Sequence, residues 1–276
     1  VYTQPPKKSN RGQKVNLSPV HMFAKSKGLN VFCPERFSHT DVENIKKINP
    51  DVILVVAYGL ILPQEILMIP SCGAVNVHAS LLPKWRGAAP IQRSIMSGDI
   101  MTGISIMKME MRLDEGPIYL QTQIPIREND TYGDIHKTLI EAGKQTLDLY
   151  FSGHKPFWPQ QQNSDLASYA KKIEKNETEI NFNDSAFVVH KKICALSPKP
   201  GMWFSINSNK YKIFNSEFVK KDKIINFKDT KKLILPFKED YLLINKIQKE
   251  GKNIITIEEF IRGNAKEFNE IKKKFY

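Results

Sequence analysis

Six consecutive residues, Asp51-Val52-Ile53-Leu54-Val55-Val56, narrow the choice of fold more than any other stretch of this chain. After the leading Asp the run is aliphatic and mostly β-branched, so it offers no polar face to water. A strand of this kind belongs in a parallel sheet covered on both faces, and parallel strands require crossover helices. A helix is predicted before it, capped by Thr40 or Asp41 and running to Ile48. After it, Gly87 to Ser97 carries Ile91 and Ile95 at helical spacing and stops at Gly98. Gly103 to Met109 and Ile118 to Ile126 alternate as strands, and Thr131 to Phe151 reads as a long amphipathic helix. The alternation predicts an α/β fold with a Rossmann-like, mostly parallel sheet.

The pattern changes at Pro156-Phe157-Trp158-Pro159-Gln160-Gln161-Gln162-Asn163, where prolines and polar amides replace hydrophobic periodicity. Residues 1–155 are therefore expected to form one domain, 156–175 a linker and 176–276 a second domain. In the last of these, a helix over Ser185 to Leu196 precedes short strands at Trp203–Ile206, Tyr211–Phe214, Leu233–Leu235 and Tyr241–Ile247. Short strands joined by tight turns predict a small β-barrel. The longest apolar run, Val52 to Leu62, is about half a membrane span, so no transmembrane helix is expected. Cys33, Cys72 and Cys194 are odd in number and lack metal-ligand spacing, which predicts reduced thiols in a cytoplasmic protein and no bound metal. The remaining histidines, His21, His39, His136, His154 and His190, have no partner at ligand spacing and are expected to be structural.

The net charge of +12 is unevenly spread. Residues 1–14 hold four Lys or Arg and no acid, residues 15–155 hold fourteen of each sign, and residues 156–276 hold 23 basic and 15 acidic side chains. A neutral body between two basic appendages suits a protein that grips a polyanion while doing chemistry elsewhere, although a Lys-rich composition alone would give the same total.

The chemistry centres on Asn76 and His78. The segment Ala74-Val75-Asn76-Val77-His78 reads as a short strand, on which residues two apart project from the same face. A Pro- and Gly-punctuated loop, Ser80-Leu81-Leu82-Pro83-Lys84-Trp85-Arg86-Gly87, follows at the strand end where open α/β sheets bind ligands, and an acid appears later in Leu113-Asp114-Glu115-Gly116. Amide, imidazole and carboxylate are the parts needed to pass an acyl group to an amine. Taken singly, each could equally satisfy backbone groups at a strand end or cap a turn.

Taken together, Asn76-Val77-His78-Ala79-Ser80-Leu81-Leu82-Pro83, Trp85-Arg86-Gly87-Ala88-Ala89-Pro90-Ile91-Gln92 and Leu113-Asp114-Glu115-Gly116 resemble the methionyl-tRNA formyltransferases, a branch of the folate-dependent formyltransferases. The likeness extends to Val55–Pro63 and to the basic stretch Gln4–Lys14. It implies transfer of a formyl group from 10-formyltetrahydrofolate to initiator methionyl-tRNA, with Asn76, His78 and Asp114 catalytic and Ser80, Leu81, Leu82 and Pro83 against the folate. It implies that Arg11 reaches the tRNA acceptor end while Lys7, Lys8 and Lys14 meet phosphates, and that the second domain is an oligonucleotide-binding-type barrel. The barrel's closure is in question because the segment is short and lacks several of the usual glycines. The resemblance also implies a first strand and helix of about thirty residues ahead of Val1-Tyr2-Thr3, whose absence would leave apolar sheet edges exposed. A monomer without membrane attachment is expected. The alternatives are another folate-dependent formyltransferase, acting on an amino-sugar nucleotide or purine precursor, and an inactive RNA-binding fragment.

Overall fold

The computed structural model describes residues 1–9, 14–153, 157–223 and 231–275. Its chain divides into two compact units. The first gathers Val1–His78, Ser105–Gln121 and Tyr150–Asn163; the second gathers Ala79–Ile104, Thr122–Leu149 and Ser164–Tyr276.

A four-stranded sheet has the order Ile53–Val56, Ala74–His78, Met101–Lys108, Ile118–Pro125. Ile53–Val56 runs parallel to Ala74–His78, and Ala74–His78 pairs antiparallel with residues 105–108. The sheet is thus mixed, a common form in large α/β folds. The aliphatic run is a parallel strand, as its composition predicts, but it is covered on one face only. Ile53 and Val55 pack on a cluster of Val42, Ile45, Leu62 and Ile66, whereas Leu54 and Val56 remain 42% and 54% exposed. The helices His39–Ile48 and Gln64–Leu67 supply the cover for that one side, and among the described residues the strand lies at the edge of this sheet.

The helix His39–Ile48 is capped by Ser38, two residues earlier than Thr40. Ser38 Oγ accepts from the Asp41 amide while the Asp41 carboxylate accepts from the Ser38 amide, a reciprocal box that satisfies two otherwise orphaned donors. Asn49 ends the helix in the left-handed region at φ 48°, a conformation that Asn tolerates better than most residues. A shorter helix, Pro19–Ser26, which hydrophobic spacing did not reveal, is capped by Ser18.

In the second unit, helix Pro90–Ser97 stops at Gly98 with φ 78°. Helix Ala186–Leu196 starts from a Ser185 cap and buries Val189, Ile193 and Leu196 against a five-stranded antiparallel sheet. That sheet runs Leu233–Pro236, Tyr241–Lys249, Asn209–Val219, Met202–Ile206, with Ile255–Thr256 pairing on Tyr241–Lys249. A register shift at Ile213 and Asn215 bends the long strand, and Met202–Ile206 joins Asn209–Val219 through Asn207 and Ser208, both at positive φ. Two consecutive left-handed residues match the twist of a hairpin without needing glycine here. Met202, Ile213, Leu235, Leu242, Ile244 and Ile247 form the inner face. Among the described residues the outer strands Leu233–Pro236 and Met202–Ile206 are not paired to each other, so the sheet is a curled half-barrel. Two helices absent from the sequence reading, Ile257–Gly263 and Ala265–Phe275, bury Phe260, Phe268 and Ile271 in the same core. Arg93 fastens the segment after residue 170 to helix Pro90–Ser97 by pairing with both oxygens of Glu177 and donating to the carbonyls of Lys171 and Lys172.

The three cysteines are free thiols, and among the described residues no helix is long and apolar enough to cross a membrane.

Candidate active site

The strand Ala74–His78 presents Asn76 half-buried and His78 only 5% exposed, two residues apart on one face. Antiparallel register sets His78 opposite Ser105 and Asn76 opposite Met107. Residues directly opposite each other project to the same side, so the Ser105 hydroxyl shares the face of His78. Ser105 is fully buried, and its Oγ accepts from Gln121 Nε2 at 2.8 Å. Neither Ser105 nor Gln121 stood out in the sequence; alternation marked their strands without marking a polar pair between them.

Asp114 comes from the turn after residue 108, and its Oδ2 lies 3.6 Å from His78 Nδ1. That separation is an ion-pair distance for a protonated imidazole and exceeds a direct hydrogen bond. The carboxylate side chain is 13% exposed, which shields the pair from bulk solvent. Asp114 sits at φ 54°, a left-handed conformation that Asp reaches at lower cost than bulkier side chains. Two constraints hold the turn there. A Cβ at Gly116 would lie 1.9 Å from the Lys108 carbonyl oxygen, so only glycine fits, and the Lys108 amide donates to the Pro117 carbonyl at 2.9 Å. On the other side, Gln162 Nε2 donates to the carbonyls of Asp114 at 2.8 Å and Gly116 at 2.7 Å. The structure thus brings Asn76, His78 and Asp114 into one unit, and adds Gln162.

The loop residues Ser80 to Pro83 belong to the second unit. Ser80 is fully buried and donates through Oγ to the Lys84 carbonyl at 2.6 Å, closing a tight turn. Leu82 is buried, and the Leu82–Pro83 peptide is cis. Leu81 packs over Gly103, where an added Cβ would come within 2.6 Å of its Cδ2. Leu81 also lines a cavity of about 260 Å³ with Lys84, Trp85, Asp99, Ile100, Met101 and Thr102, in which the Trp85 indole donates to Asp99 at 2.7 Å.

Of the four basic residues near the start, Arg11 lies outside the described residues, as do the side chains of Lys8 and Lys14. The described backbone places Lys7, Lys8 and Lys14 on paired strands, Lys7–Ser9 and Lys14–Asn16, instead of a plain loop. Gln4, just before them, donates to the Tyr58 carbonyl at 2.8 Å, and Gly59 at φ 77° leaves the room its amide needs. The chain just ahead of the paired strands is therefore tied to the segment that follows the Ile53–Val56 strand. Among the described residues no group of three or more His, Cys, Asp or Glu could hold a metal ion.

Residues 1–149 match the family described as formyl transferase, and residues 172–265 match the formyl transferase C-terminal domain. The chain belongs to the formyl transferase family. The first matched span of this family member contains Asn76, His78, Asp114 and the Ser80–Pro83 loop; the second contains the half-barrel. Among its relatives, the methionyl-tRNA formyltransferase of Wolbachia sp. subsp. Drosophila simulans is 39% identical over 268 residues, covering 95% of this chain and 87% of that protein. The methionyl-tRNA formyltransferase of Pelagibacter ubique is 40% identical over 271 residues, covering 96% and 87%. Among solved structures, WlaRD, a sugar 3N-formyl transferase crystallised in the presence of dTDP and 5-N-formyl-THF, superposes with a TM-score of 0.64 at 19% identity, covering 90% of this chain and 86% of that one. At that identity the superposition speaks for the fold alone.

Proposed function

We propose that this protein transfers the formyl group of 10-formyltetrahydrofolate to the amino group of methionyl-tRNA, giving formylmethionyl-tRNA and tetrahydrofolate. The observation that carries the reading is the placement of Asn76 and His78 on one strand face with Asp114 3.6 Å from the imidazole. The reaction needs an amine to attack the formyl carbon, an oxyanion to be stabilised, and a proton to move. As the new C–N bond forms, the formyl oxygen gains negative charge that the Asn76 amide can receive by donating an N–H. His78 polarises the same oxygen as a second donor, its ring held with Nδ1 toward the Asp114 carboxylate 3.6 Å away. The bond to the folate nitrogen then breaks as the oxyanion collapses, and the proton lost by the newly formed ammonium passes to that nitrogen, with Asp114 relaying it through a water. Ser80, Leu81, Leu82 and Pro83 begin two residues after His78 in the chain and are assigned to the folate, with backbone polar groups and aliphatic side chains suited to a flat heteroaromatic ring.

The acceptor assignment is supported by the relatives named above and by the charge distribution, with basic excess confined to residues 1–14 and 156–276. Lys7, Lys8, Arg11 and Lys14 are assigned to the tRNA, Arg11 as the planar guanidinium able to clamp a phosphate or read a base edge. The test is an acceptor comparison: purified protein with the formyl donor and either methionyl-tRNA or an amino-sugar nucleotide. Formylation of methionyl-tRNA alone supports the proposal, and formylation of the sugar nucleotide alone replaces it.

A further inference from the structure

We propose that Gln162 is a positioning residue for the carboxylate of Asp114, acting through the backbone of the turn that carries it. This rests on the functional reading above. The segment around Gln162 is a run of polar amides with no helical or strand periodicity, 48 residues beyond Asp114 in sequence. In space it lies alongside the turn. Ile118 and Gln160 exchange two backbone hydrogen bonds, each 2.8 Å, in an antiparallel bridge. Antiparallel register then sets residue 162 beside residue 116, at the turn itself.

The side-chain amide uses this placement fully. An NH₂ group has two donors, and here one goes to the Asp114 carbonyl at 2.8 Å and one to the Gly116 carbonyl at 2.7 Å. Both acceptors are carbonyls, so the amide nitrogen must face the turn. The two bonds span a residue held at φ 54° and a glycine whose α-carbon faces the Lys108 carbonyl so closely that no side chain fits. One wall of the turn is thus the strand end at Lys108 and the other is Gln162. The distance from Asp114 Oδ2 to His78 Nδ1 depends on that backbone, because a short side chain has little reach with which to compensate for a moved Cα. A shift of about 1 Å in a catalytic group can cost two orders of magnitude in rate.

Gln162→Met keeps the side-chain length and removes both donors. In the full-length protein it is expected to lower kcat for formyl transfer to methionyl-tRNA by about tenfold to a hundredfold, with KM for tRNA and for the folate donor each within about twofold. Placed on an Asp114→Asn background, it is expected to lower kcat no further, because the group it positions has already lost its charge. Hydrogen–deuterium exchange at residues 113–116 is expected to accelerate in Gln162→Met while exchange in the Ala74–His78 strand is unchanged. Gln162→Glu, which sets a carboxylate against two carbonyls, gives the same loop signature if Gln162→Met fails to fold. An unchanged kcat, or the same fractional loss on both backgrounds, or unchanged exchange at the turn would overturn the proposal. The exchange measurement needs no substrate, so wild-type protein inactive on methionyl-tRNA would sink the functional reading while leaving the role of Gln162 in holding the turn to be decided by exchange.

Discussion

His78 is hemmed in by neighbours of different kinds: the Asp114 carboxylate at its Nδ1, and the buried Ser105 opposite it in the register. An imidazole so enclosed has few orientations, which is what a catalytic donor requires. Replacing Asn76 or His78 by Ala is expected to lower turnover by roughly a hundredfold to a thousandfold, the range for a lost oxyanion donor or acid–base group. Steady-state kinetics with saturating donor would show it, and near-normal turnover in either variant would remove that residue from the mechanism. Gly116→Ala is expected to cost at least about 2 kcal/mol in urea denaturation, since its methyl would have to displace the Lys108 carbonyl. At this scale the strand pair Asn76 and His78 was legible from two-residue alternation alone, whereas Asp114 was picked out as the carboxylate the chemistry needs, with no spacing to set it beside them. Its left-handed backbone and its Gln162 brace were not legible at all, because a contact across 48 residues leaves no local pattern.

Helices and strands were read more accurately than their caps and covers. Helix Ala186–Leu196 was anticipated with Ser185 as its first residue, which proves to be its cap, and it holds a buried histidine, His190, whose Nδ1 lies 3.0 Å from Ser216 Oγ. Burial pulls the His190 pKa down from 6.5, helped by the adjacent Lys191 cation and opposed by Glu128 and Glu217. The folded protein therefore holds His190 neutral at pH values where the unfolded chain takes up a proton. Stability from this site is fully present above pH 6.5 and falls as pH drops below it, since the unfolded state then binds more protons. Chemical denaturation at pH 7.5 and pH 5.5 is expected to show lower stability at the acidic value, with a smaller difference in His190→Gln. An equal difference in both proteins would place the acid sensitivity elsewhere. The terminal helices Ile257–Gly263 and Ala265–Phe275 escaped sequence reading because each is short and the Asn264 between them breaks the periodicity. The exposed face of Ile53–Val56, carrying Leu54 and Val56, escaped because a continuous aliphatic run does not tell how many of its faces are covered.

For the molecule as a whole, charge segregation is the feature that composition made plainest. With the basic excess at the two ends of the sequence, use of methionyl-tRNA is expected to weaken steeply with salt, as released counterions regain their entropy less favourably. Raising salt from 50 to 200 mM is expected to raise KM for tRNA by at least about tenfold while KM for the folate donor changes little, and parallel changes would remove the electrostatic grip from the account. Arg11→Ala is expected to raise the tRNA KM in the same selective way. The central claim is that Asn76, His78 and Asp114 form a formyl-transfer site for methionyl-tRNA. Its most direct test is a single-turnover experiment following labelled formyl from 10-formyltetrahydrofolate onto methionyl-tRNA, with wild-type protein beside His78→Ala and Asp114→Asn. Label reaching the tRNA α-amino group with wild type, and transferring at least about a hundredfold more slowly with His78→Ala, is the predicted result. Absence of transfer by folded wild-type protein that binds both substrates, or equal rates in wild type and His78→Ala, would contradict it.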